Sequence, residues 1–185
     1  MELTSSATVA EFFRECLTSA IKNQGVDTTE PTEFYLVNLL SNYTKAPVDD
    51  EPLGLKLAQS VYATPDERVR HLREVGDTSL YVSGFFSESL ERKLVDVGYY
   101  IQLGGSAYAE LARLHRTREP FGEVWSELGA KFPRFVEVLN EISESTAMSN
   151  ASVVQLYERW LKTGSAWIAR RLRARGVLPV KSEVQ

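Results

Sequence analysis

One cysteine, two histidines and two methionines in 185 residues leave this chain short of the groups on which much site chemistry depends. Cys16 cannot form an internal disulfide, and no second Cys or His stands beside it at metal-ligand spacing. It reads as a small apolar core residue. No cofactor and no metal site is expected. No apolar run approaches the roughly 20 residues that a membrane-crossing helix requires, and the longest, Phe34 to Leu40, has Asn38 inside it. The N-terminal segment carries Glu2, Glu11, Arg14 and Glu15 among short apolar groups, unlike the basic head and apolar centre of a secretory leader. A cytoplasmic protein without a membrane span is expected. Sustained period-two alternation between hairpin turns is also missing, so nothing points to a sheet. No repeat recurs at the fixed spacing of a helical solenoid.

What is present is the balance of a folded domain, with 43% apolar and 25% charged residues. The expectation is a single helical domain over residues 1–185, with 177–185 as a flexible tail. Val9, Phe12, Phe13, Cys16, Leu17, Ala20 and Ile21 recur at helical spacing and predict a helix over 7–23. Thr29 as cap and Pro31 in the first turn start another, to Thr44, apolar nearly all round. KAPVDDEPLG, residues 45–54, reads as a loop. Leu55 to Tyr62 is a short helix. Thr64-Pro65-Asp66-Glu67 is a strong start signal for a helix over 65–83. Further helices are expected from Ser87, from Tyr99 to His115 (with a later start at Ser106 left open), from Glu119-Pro120 and from Phe132-Pro133. The last and longest is expected to run from Ala151 to Arg175. The predicted fold class is all-α, a compact single-domain bundle of about eight or nine helices in mixed or orthogonal packing.

The stretch from Gly76 to Ala112 holds five of the eleven glycines and several polar residues in apolar surroundings. Such positions mark close backbone approach or a required hydrogen bond. Asp77 is expected to bond to a Tyr, an Arg or a helix N-terminus. A ligand pocket is the alternative, with Asp77, Tyr81, Phe85, Tyr99, Tyr100 and Tyr108 around it. Gly104-Gly105 before Ser106 offers two readings: backbone amides facing an anion at a helix start, or a small surface within a helix, where Gly105 lets a neighbour approach. The second is preferred, because neither a following Lys nor the spaced dinucleotide fingerprint is present.

Glu67, His71 and Glu74 share one helix face, but a di-iron bundle needs paired Glu-x-x-His motifs. Glu110 and His115 point about 140° apart at the helical repeat. Both histidines are therefore expected to be exposed helix residues. The C-terminal helix is the electrostatic outlier. Residues 149–176 carry six basic groups and one acidic, whereas residues 1–148 carry 14 basic and 23 acidic. Arg170, Arg171, Arg173 and Arg175 crowd its end and suit an acidic protein partner. The sequence thus favours a non-catalytic protein that acts by binding another protein, as an adaptor or regulator. A small-molecule binder or enzyme with its pocket at residues 77–108 comes second. Nucleic-acid contact through the arginines comes third, opposed by the acidic overall balance.

Overall fold

The computed structural model describes residues 2–45, 48, 51–87, 96–115, 121–148 and 153–180. Among these the fold is all-α, with nine helices and no strand. They are α1 (Glu2–Gln24), α2 (Glu30–Tyr43), α3 (Leu53–Ser60), α4 (Pro65–Phe85), α5 (Val97–Leu114), α6 (Phe121–Ala130), α7 (Phe132–Met148), α8 (Val153–Thr163) and α9 (Ala166–Ala174). No described helix is long and apolar enough to cross a membrane. Backbone packing divides the chain into two compact units, Met1–Ile142 and Ser143–Gln185.

In the first unit α4 packs along α5, α5 along α6, and α2 touches both α4 and α6. The start of α4 follows from its sequence. Thr64 Oγ1 accepts from the Glu67 amide while the Glu67 carboxylate accepts from the Thr64 amide, a reciprocal cap. Asp96 caps α5 by accepting from the Tyr99 amide at 2.9 Å. The core gathers Leu17, Leu36, Leu40, Leu72, Leu80, Tyr108, Leu111, Leu128, Phe135 and Leu139, all essentially inaccessible to solvent.

Glycine sets the approach of these helices. Gly104 lies inside α5, so the pair forms no amide cradle at a helix start. A Cβ on Gly104 would overlap the Phe132 ring and fall 2.6 Å from Ser79 Cβ, whereas one on Gly105 would meet Phe132 Cβ at an ordinary 3.7 Å. The close approach expected of Gly105 therefore belongs to Gly104. Gly76 makes room for another ring: an added Cβ would lie 2.5 Å from Tyr108 Cε1.

In the second unit the expected single C-terminal helix is two. Gly164, at φ 65°, leaves the right-handed region after α8, and Ser165 Oγ caps α9 by accepting from the Ile168 amide. Leu156, Trp160, Ile168 and Leu172 form this hairpin's own small core. The remaining expected boundaries fall within a few residues of the observed ones. The starts proposed at Glu119-Pro120 and Ser149-Asn150, the helix beyond Ser87 and the tail beyond residue 180 lie outside the described residues.

Candidate functional site

Helix α2 carries two apolar faces. Leu36, Val37 and Leu40 enter the core, while Phe34, Tyr35, Asn38, Leu39 and Asn42 follow a second stripe. That stripe and Val69, Arg73 and Asp77, one turn apart along α4, line the walls of a cleft of about 810 Å³. Phe121, Val124 and Trp125 of α6 complete the wall, with His115 at the end of α5. The lining is mostly apolar and aromatic, and Phe34 and Phe121 are 60% and 57% exposed. A cavity of this volume lies within the range that small-molecule sites span in general.

Asp77 is the polar centre of this cleft. Its Oδ1 accepts from the Tyr35 hydroxyl at 2.6 Å and from the Tyr108 hydroxyl at 2.7 Å, and Oδ2 lies 3.6 Å from Arg73 Nε. Arg73 Nε also donates to Tyr35 Oη at 3.2 Å, and its guanidinium sits 5.5 Å from the centre of the Tyr35 ring. Of the partners expected for Asp77, a Tyr, an Arg or a helix N-terminus, the first two are present. Burial pushes the Asp77 carboxyl up, and the phenol and guanidinium bonds that favour the ionised form do not cancel it. Tyr35 and Tyr108 are raised by burial and by the adjacent carboxylate. For Arg73, burial works against the charge, but Tyr35 and Asp77 outweigh it and raise its pKa.

The structure separates the residues that the sequence grouped into one pocket. Asp77 lines the cleft, whereas Tyr108 does not: its hydroxyl donates to Asp77 and its ring is fully buried against Trp125. Tyr81 and Phe85 continue a stack that begins at Tyr43, whose hydroxyl is 2.7 Å from Thr78 Oγ1; of these only Tyr43 lines the cleft. Burial pushes the Tyr43 phenol up to about 12. Tyr99 and Tyr100 meet edge to face in the first turn of α5 and do not line the cleft. Sequence reasoning missed Phe34, Tyr35, Asn38, Asn42, Arg73 and Trp125. Its available signal was the placement of Asn38 and Asn42, four apart, in the same stripe as Phe34.

The metal reading finds no support in the geometry. Glu67 is engaged in the Thr64 cap, and Glu74 pairs with the buried Lys56 at 2.5 Å. Among the described residues no three His, Cys, Asp or Glu side chains gather for an ion. Neither histidine is fully exposed, contrary to expectation: both are half-buried, and His115 Nδ1 lies 2.8 Å from the Leu111 carbonyl. Burial pushes the Cys16 thiol up, away from the reactive thiolate. On α9, Arg170, Arg173 and Arg175 are exposed and Arg171 is half-buried. Comparison with protein-family models, curated proteins and solved structures finds no match to this chain.

Proposed function

We propose that the protein binds a small organic molecule in the cleft between α2, α4 and α6. The supporting observation is a mostly apolar cavity of about 810 Å³ built around a buried carboxylate that three side chains hold in place. A chain that needed only a core would gain by filling this space with side chains. Thermal-shift screening with small aromatic compounds is the test. Compounds that raise the melting temperature of the parent should fail to do so in Asn38→Trp, where an exposed position on the cleft wall is filled. Equal shifts in that variant would sink the reading.

Partner binding, with a protein of acidic surface, is the second reading. Its support is the exposure of Arg170, Arg173 and Arg175 on one short helix. Salt-sensitive capture of a protein that is lost in the folded Arg170→Glu, Arg173→Glu double variant would favour it.

A further inference from the structure

Resting on the cleft as a ligand site, we infer that its ligand is an organic carboxylate with an aromatic or branched apolar body, its carboxylate held by the terminal nitrogens of Arg73. Asp77 and Arg73 are the acid and the strong base among the described lining residues. They do not offer themselves equally. The Asp77 side chain is 15% exposed, its Oδ1 already accepts two phenol protons, and its Oδ2 faces Arg73. Arg73 is 55% exposed. Its Nε is turned inward to Tyr35 and Asp77, while Nη1 and Nη2 donate no hydrogen bond to any described residue.

The guanidinium is therefore oriented on one edge and open on the other, the arrangement that binds a planar carboxylate through two parallel bonds. Asp77 and Tyr35 act as positioning residues that fix the fork. Asn38 and Asn42, exposed on the facing wall and without side-chain hydrogen bonds to described residues, supply further amide donors. A dianionic phosphate would meet a single strong cation here, whereas one carboxylate matches one guanidinium. Phe34, Phe121 and Trp125 then take the apolar body.

Calorimetric titration with benzoate, 2-naphthoate and 4-phenylbutanoate, each beside its neutral primary amide, tests this. The best acid should bind about ten- to a hundredfold more tightly than its amide, as expected for charge-assisted bonds. Arg73→Gln should erase that preference by weakening the acid far more than the amide, and Asn42→Ala should weaken the acid by a few-fold. Acids and amides that bind equally, in the parent and in Arg73→Gln alike, would overturn the carboxylate inference and leave the cleft reading standing. Failure of every acid and every amide to saturate the parent would overturn both.

Discussion

Asp77 and Glu127 are both largely covered carboxylates of the first unit, each gripped by several donors, yet the fold treats them in opposite ways. Glu127, on α6, accepts from the Thr29 amide at 3.2 Å, the Thr29 hydroxyl at 2.8 Å and Lys131 Nζ at 3.0 Å. Burial alone would raise its pKa, but these bonds together with one from Thr32 pull the carboxyl down to about 2. It pins the start of α2 to α6, and Glu141 on α7 accepts from Asn23 and Gln24 at 2.6 Å to hold the end of α1. At Asp77 the donors are two phenols and a more distant guanidinium, and burial wins. One carboxylate stabilises the fold as an ion. The other has its pKa raised by burial and stands beside a cleft, where it helps to orient an arginine.

The largest test of this contrast attacks the Asp77 group through its support. Gly76→Ala places a methyl into the Tyr108 ring, which must move away from Asp77. A loss of about 3 kcal/mol is expected from such overpacking, read by denaturant unfolding. Next comes Glu127→Gln, expected to cost about 2 kcal/mol at pH 7 through weaker charge-assisted bonds. Because the folded pKa of Glu127 lies below its ordinary 4.5, its contribution is present above that value and is lost as pH falls towards 2. That shift corresponds to about 3 kcal/mol at most. The parent should lose stability over that window more steeply than Glu127→Gln does. Asp77 has the reverse sign: its folded pKa is raised above 3.8, so stability is favoured below that value and falls as pH rises through the folded one. Asp77→Asn keeps an oxygen for both phenols and removes the titrating acid. It should leave stability at pH 7 unchanged or raise it by up to about 1 kcal/mol, while weakening carboxylate binding by loosening Arg73. A loss as large as that of Glu127→Gln would erase the distinction.

The helices were legible because their signals are local. Thr64 to Glu67 announces the start of α4, and the spacing of Phe13, Leu17, Ala20 and Ile21 announces the buried face of α1. The break at Gly164 was missed because a glycine within an apolar stripe is also compatible with a continuous helix; its positive φ decides. Choosing between Gly104 and Gly105 required knowing which side Phe132 packs on, a contact 27 or 28 positions away in sequence. The site was half legible. Asp77 stood out as a polar residue in an apolar helix, but its partner Tyr35 lies 42 residues away and its cleft is made by a helix that looked simply hydrophobic. Sequence proximity favoured Tyr81, Phe85, Tyr99 and Tyr100, which packing sends elsewhere.

The most direct measurement is a ¹H–¹⁵N NMR titration of the labelled protein with 2-naphthoate, following side-chain as well as backbone signals. The Arg73 Nε–H and the side-chain amides of Asn38 and Asn42 should shift together and saturate, while the Thr29 amide on Glu127 stays in place. Shifts centred on Thr29 and Glu127, or spread over the surface without saturation, would contradict the assignment of the cleft as the site that Asp77 is maintained to serve.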